Sequence, residues 1–322
     1  AAWSSCWKKK TPCKPKRFRT DKKMKHEDFL EAYLKDRRNI VEEALDRYLP
    51  AGDQEPRELH AAMRYSVFAG GKRIRPILCM ASAEACGGDL APVMPVACAL
   101  ELIHTYSLIH DDLPSMDNDD FRRGKPTSHK VFGEAAAILA GDALLTEAFA
   151  LLSRAEKVRL AAERRLAVIQ EIALAAGAAG MVGGQALDIR TDKEDPDIEA
   201  LTDMHRRKTG ALIMAAVKTG ALIAGADERK LSALTGYANR IGVAFQIADD
   251  ILNVEGDERL MGKRTGSDAA RGKITYASLL GLEAAKARLA DEVGAAAACI
   301  ASFDARALPL RAIARFIMER KS

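Results

Sequence analysis

The sequence predicts an all-α protein, and three observations predict it. Apolar residues recur at three- and four-residue spacing along most of the chain. The composition is 48% apolar but only 5% aromatic, with Ala and Leu abundant, a balance that favours helix over sheet. No period-2 segment longer than about five residues competes with the helical pattern. With no internal repeat and no long linker, the 322 residues are expected to form one domain of about ten to twelve helices.

Taken in order, Phe29, Leu30, Tyr33, Leu34, Ile40, Val41 and Leu45 mark a first helix that Pro50 stops. A second runs from Glu55 to Phe68 and ends at Gly70-Gly71. A third follows a basic turn, from Ile77 to Cys86, where Gly87-Gly88 breaks it. Pro95 to His110 is a long apolar helix that Pro114 cannot continue, so Asp117 is expected on a loop just past its end. Further helices are expected at 133–153, 157–180, 198–206, 207–225, 228–254, 275–300 and 305–319. Several are apolar nearly all round, as helices inside a large bundle are.

Net charge is +4, but residues 1–23 hold nine Lys or Arg against the single Asp21, which leaves the rest of the chain net acidic. A nucleic-acid-binding body is therefore unsupported, and no nucleic-acid partner is expected. The segment 1–23 has neither a helical period nor the apolar core of a signal peptide. It reads as a disordered basic leader or an artefactual extension, or else as a basic arm that touches a membrane or another acidic surface. None of the six cysteines has CxxC spacing, so they read as small thiols, buried where they fall in helices, in a reducing compartment. No stretch reaches 18 uninterrupted apolar residues; the nearest, Ala211 to Ala226, carries Lys218 and reads as a core helix.

Two acidic clusters carry the chemistry. The first spans Asp111, Asp112, Asp117, Asp119 and Asp120 and runs directly into Arg122-Arg123-Gly124. The second spans Asp249, Asp250, Asn253, Glu255 and Asp257. Each follows a strongly apolar helical run, where crowded carboxylates repel one another unless cations neutralise them. Mg2+ bound through one or two carboxylates plus substrate phosphates is the usual answer, and adjacent arginines suit diphosphate oxygens. On a continuous helix Asp111 and Asp117 lie about 240° apart, so they converge only because Pro114 bends the chain. Asp249 and Asn253 share a helix face. Gly70-Gly71-Lys72-Arg73-Ile74-Arg75 is a glycine turn followed by three cations, which also suits a diphosphate, although alone it is equally a helix stop before a basic surface. His104 alone reads as an ordinary core histidine. The clusters' equivalent positions at helix ends suggest that they face one cavity.

These motifs, in this order, resemble the short-chain trans-prenyl diphosphate synthases, most of all the bacterial farnesyl diphosphate synthases, with the plant-type geranylgeranyl diphosphate synthases close behind. The resemblance rests on GGKRIRP (70–76), SLIHDDLPSMDNDDFRRGKPTSH (107–129), AGDALL (140–145), GGQALD (183–188), HRRKTGAL (205–212), FQIADDIL (245–252) and GKRTGSD (262–268). It implies an isoprenoid-synthase bundle of antiparallel helices around a deep apolar cavity, a cytoplasmic homodimer without integral membrane contact, and head-to-tail condensation of isopentenyl diphosphate with an allylic diphosphate. By the same resemblance, Asp111, Asp117 and Asp249 are Mg2+ ligands with Asp112 and Asp250 in support, and three Mg2+ ions bridge the allylic diphosphate. Arg122, Lys208 and Lys263 hold its remaining oxygens. Lys72, Arg75, His104 and Arg123 hold isopentenyl diphosphate, and Thr209 and Gln246 flank the developing cation.

Two positions depart from the family pattern. Asn253 stands where the second motif usually ends in Asp, and Ala277 where relatives often have Pro. The product is expected to be farnesyl diphosphate, because Tyr106 and Ser107 lie one turn or so before Asp111 on the helix that walls the cavity. The Tyr106 ring would stop a chain of moderate length; a geranylgeranyl product is the alternative. A class I terpene cyclase also uses acidic metal motifs but has no need of GGKRIRP. A non-catalytic regulatory subunit usually loses one acidic cluster, and this chain keeps both.

Overall fold

The structure is a computed structural model and describes residues 26–154, 160–189, 197–255 and 273–320. The basic segment 1–23, Lys263 and Asp257 lie outside those residues. The described chain is helical throughout, apart from one hairpin of two-residue strands. It divides into two compact units, Ala1–Met80 with Leu90–Arg165 and Ala81–Asp89 with Leu166–Ser322.

In the first unit, α1 (His26–Tyr48), α2 (Arg57–Val67), the first half of α3 (Ile74–Ala85), α4 (Met94–Asp111), α5 (Ser128–Phe132) and α6 (Glu134–Ser153) surround a hairpin, β1 (Phe121–Arg122) and β2 (Lys125–Pro126). The centre is α4, which packs along α6 and also meets α1 and α2. Its side chains are buried continuously from Met94 to Ile103, which is why its sequence is apolar on every face. Each leucine-sized side chain so buried contributes on the order of 2 kcal/mol. By length and composition, α6 and the stretch Ala162–Ile189 are each apolar enough to cross a membrane. In α6, Ala137, Ala140, Leu144, Ala148, Leu151 and Leu152 are buried on one side, while Ile138 and Leu139 are exposed.

In the second unit, α7 (Ala162–Ala176) and α8 (Met181–Ile189) precede α9 (Ile198–His205), a π-helical turn (Arg206–Gly210) and α10 (Ala211–Ile223). The long α11 (Glu228–Glu255) follows, then α12 (Tyr276–Leu280), α13 (Leu282–Cys299) and α14 (Leu308–Glu319). α11 packs on α13 and α10, and Tyr237 of α11 donates its hydroxyl to Leu310 O of α14 at 2.7 Å.

The all-α expectation holds, with local differences. α8 was not expected: no helix was placed between 180 and 198. Gly184 is helical because α8 lies so close to the π-turn that a Cβ there would sit 2.2 Å from Lys208 N. The expected helix 275–300 is broken at Gly281, whose φ of 80° no other residue adopts easily. Cys79 and Cys98 are buried as expected, while Cys86 and Cys299 are only half-buried; all four are free thiols.

Candidate active site

The glycine turn after α2 owes its shape to three residues with positive φ. Gly70 and Gly71 have φ of 100° and 130°, and Arg73 takes the left-handed conformation at 54°. The Arg73 side chain then points inward. It donates to Glu101 Oε1 at 2.6 Å, to Glu42 Oε1 at 2.7 Å and to Val67 O at 2.6 Å, and is fully buried. Of the three cations that follow the glycines, Arg73 is therefore an internal strut, while Lys72 is exposed and Arg75 half-buried. Removing one partner of such a buried pair typically costs about 3–5 kcal/mol.

The first acidic motif curls as Pro114 requires. α4 ends at Asp111, Met116 N–H donates to Leu113 O at 2.9 Å, and Asp117 N–H returns to Asp111 O at 2.8 Å. Asp111 and Asp117 are thus brought together on one bend, both partly exposed. Asp112 faces the other way. It is 3% exposed and takes both of its oxygens to Arg122, whose Nε lies 2.7 and 2.9 Å from them. Arg122 also approaches Asp119 at 3.6 Å.

The hairpin sets the two arginines apart. Arg123 and Gly124, with φ of 54° and 74°, are the central pair of a two-residue connection of the I′ kind, with Phe121 opposite Pro126 and Arg122 opposite Lys125. Arg123 Nη1 donates to Gly70 O, and a Cβ at Gly71 would lie 2.6 Å from the Arg123 guanidinium. Arg123 thereby joins the glycine turn. His104 is held neutral: burial pushes its pKa well down, and Arg75, Arg123, Arg122 and Arg73 push it further. Burial and these nearby guanidiniums both disfavour a charged imidazole, while Arg73 and Arg122 carry carboxylate partners of their own.

Tyr106 is 7% exposed and meets His110 edge-to-face, with ring centroids 5.6 Å apart. The Ser107 hydroxyl donates to His104 O at 2.9 Å, within its own helix.

The second unit repeats the division of labour seen at Asp111-Asp112. Asp249 is exposed, whereas Asp250 is buried and accepts from Gln246 Nε2 at 3.2 Å and from Tyr276 N–H at 2.8 Å. Asn253 follows one turn after Asp249 and is half-buried. The π-turn carries Lys208 and Thr209; such turns displace side chains from the α-helical register and recur at functional sites. Lys208 Nζ reaches Asp188 at 2.6 Å, and the Thr209 hydroxyl donates to Gln246 Oε1 at 3.2 Å. Gly242 of α11 admits this turn closely, since a Cβ there would lie 3.0 Å from Gly210 Cα.

Three residues were not singled out from the sequence. Asp188 also draws in Lys273 at 3.6 Å, and its signal lay in the GGQALD segment. His205 packs against Tyr276, with centroids 5.6 Å apart, and burial lowers its pKa to about 4. Arg320 donates through Nη2 to Asp249 Oδ1 and to Phe245 O, the latter at 3.0 Å. Nothing in the sequence around Arg320 distinguished it.

Among the described residues, no three His, Cys, Asp or Glu side chains close around a point where an ion would sit. This donor set fits Mg2+ nonetheless, because Mg2+ keeps an open coordination sphere that substrate phosphates complete. Within the first unit Asp111 and Asp117 are the partly exposed carboxylates and Asp112 the buried one; within the second, Asp249 is exposed and Asp250 buried.

An all-α fold in which a partly exposed Asp111 and an exposed Asp249 each stand beside a buried acid is shared with isoprenyl synthases of known structure. The polyprenyl synthetase family profile matches residues 56–305, and the chain belongs to that family. It is 48% identical over 291 residues to the farnesyl diphosphate synthase of Geobacillus stearothermophilus, covering 90% of this chain and 98% of that one. It is 47% identical over 291 residues to the geranylgeranyl diphosphate synthase of Cyanophora paradoxa, covering 90% of this chain and 96% of that one. Among solved structures, an FPP/GFPP synthase from Zymomonas mobilis superposes with a TM-score of 0.80 at 39% identity, covering 90% of this chain and 98% of that one. The chain is a prenyltransferase.

Proposed function

We propose that the chain condenses isopentenyl diphosphate head-to-tail with dimethylallyl or geranyl diphosphate and releases farnesyl diphosphate, with residues 24–322 acting as one catalytic domain. The observation that carries this reading is the glycine turn at Gly70-Gly71 with Arg75 after it, which Arg123 joins by donating to Gly70 O and which suits a diphosphate, with His104 nearby kept neutral by burial. Lys72, exposed beside it, adds a further cation. Isopentenyl diphosphate binds there without losing its own diphosphate.

Mg2+ held by Asp111, Asp117 and Asp249 would stabilise the allylic diphosphate as a leaving group. Arg122, Lys208, which Asp188 orients, and Lys263 hold the remaining oxygens of that diphosphate. As the allylic C–O bond breaks, its electron pair leaves with the diphosphate. The π electrons of isopentenyl diphosphate form the new C–C bond to the allylic carbon. Thr209 and Gln246 place oxygen dipoles near the cation that develops. The product double bond forms as a proton passes to the departed diphosphate, so no protein nucleophile takes part.

Farnesyl diphosphate is favoured as the product because the Tyr106 ring is buried and held in place on α4. A geranylgeranyl product is the second reading, favoured by the near-equal identity to the Cyanophora paradoxa enzyme. The protein is proposed to be a cytoplasmic homodimer; Ile138 and Leu139 of α6, exposed at 42% and 58%, would be covered by a second copy. Purified protein with Mg2+, geranyl diphosphate and labelled isopentenyl diphosphate should release one diphosphate for each label incorporated. Diphosphate release without incorporation would replace this reading with cyclisation.

A further inference from the structure

We propose that His110 and Gly141 determine product length by bracing Tyr106, so that the ring which stops the growing chain is set by a three-residue unit rather than by one side chain. The inference rests on the reading of Tyr106 as that stop and deepens it. Tyr106 and His110 stand one turn apart on α4, where side chains at i and i+4 meet. Their rings lie at 84° with centroids 5.6 Å apart, the edge-to-face arrangement that aromatic pairs prefer.

His110 is itself pinned from α6. Its Nε2 lies 3.1 Å from Ile138 O, a distance at which the ring N–H donates to the carbonyl. That position exists only because residue 141 has no side chain. A Cβ on Gly141 would stand 2.2 Å from His110 Nε2 and 2.6 Å from Cδ2. Both groups belong to the α4–α6 contact, the most extensive packing in the first unit. The imidazole thus fills the space between helices on one side of the phenol ring. An intact brace keeps the Tyr106 ring in a single rotamer. A lost brace releases about 0.5–1.5 kcal/mol of restraint, enough to change a product ratio by up to about tenfold.

His110 also lies 3.9 Å from Asp142, but the brace is set by shape and by the carbonyl contact and requires no charge on the ring. His110 is a positioning residue: it touches Tyr106, and the effect on the product passes through that ring.

The experiment compares product lengths from wild type, Tyr106→Ala, His110→Ala, Gly141→Ala and the double variant His110→Ala/Gly141→Ala, each given Mg2+, labelled isopentenyl diphosphate and the C5 or C10 allylic primer. His110→Ala and Gly141→Ala should each raise the ratio of longer to normal product by about threefold to tenfold. The double variant should match His110→Ala, because an added methyl at 141 meets nothing once the imidazole is gone. His110→Phe, which keeps a ring against Tyr106, should stay closer to wild type than His110→Ala. Unchanged lengths in His110→Ala and Gly141→Ala, with longer products from Tyr106→Ala, would overturn the brace and leave Tyr106 as the stop. Unchanged lengths in Tyr106→Ala as well would overturn both.

Discussion

Arg320, which follows the last residue of α14, and Asp249 of α11 are joined by an ion pair in which the Arg320 side chain is 5% exposed and that of Asp249 46%. The same guanidinium lies 4.3 Å from the centre of the Phe245 ring and donates to the Phe245 carbonyl. Asp249, proposed as the metal ligand of the second motif, thus carries a protein cation where an Mg2+ ion would bind. Guanidinium and metal compete for one carboxylate.

Arg320→Gln is therefore expected to lower the Mg2+ concentration needed for half-maximal activity. The pair is half-exposed, so the shift should be about twofold to fivefold. Titrating Mg2+ into both proteins measures it, and a higher requirement in the variant would make Arg320 a helper of metal binding instead.

The paired acids of the first motif should separate cleanly. Asp112→Asn removes the carboxylate that holds Arg122 through both oxygens, leaves it Asp119 at 3.6 Å, and should cost on the order of 2 kcal/mol of stability. Asp111→Asn should change stability by less than about 0.5 kcal/mol while activity falls by at least about a hundredfold. Urea unfolding and turnover measured on both variants check this. Equal losses of stability would mean that Asp111 also holds the fold.

In the second motif, Asp249→Ala should abolish activity. Asn253→Asp should change turnover less than about tenfold, because the family's usual acid at that position adds to a site that Asp249 already supplies. Severe and equal losses in both variants would reverse that ordering.

The long apolar helices were legible because α4 is buried on every face from Met94 to Ile103 and α11 buries a stripe through Leu234, Tyr237, Ala238 and Ile241. The bend that returns Asp117 to Asp111 was legible from Pro114, and the separation of exposed from buried acids was not. Asp111 and Asp112, like Asp249 and Asp250, are chemically identical neighbours; only the partners, Arg122 for one and Tyr276 N–H for the other, decide which carboxylate faces outward. Arg73 misled for a related reason, since a cation between two other cations reads as surface until the left-handed turn that buries it is seen. α8 lay outside the expected helices, and the close packing of Gly184 against Lys208 is visible only in the structure.

His205 makes stability depend on pH in a definite direction. Its folded pKa, lowered by burial to about 4, lies below the ordinary value of 6.5, so the unfolded chain binds the extra proton first. Stability is full above about pH 6.5 and falls as the pH drops toward 4, by at most about 3 kcal/mol from this residue. His104, also lowered, acts in the same direction. The urea midpoint should fall between pH 7.5 and 5, and His205→Gln should reduce that fall. An identical pH dependence in the variant would exclude His205 as its source.

The most direct test of prenyl transfer is an incubation with Mg2+, labelled isopentenyl diphosphate and, separately, the C5, C10 and C15 allylic diphosphates, with product length read after dephosphorylation. The account predicts a C15 product from the C5 and C10 primers and an idle C15 primer. A C20 product would keep the chemistry and remove Tyr106 as the stop, whereas no incorporation from any primer would contradict prenyl transfer itself.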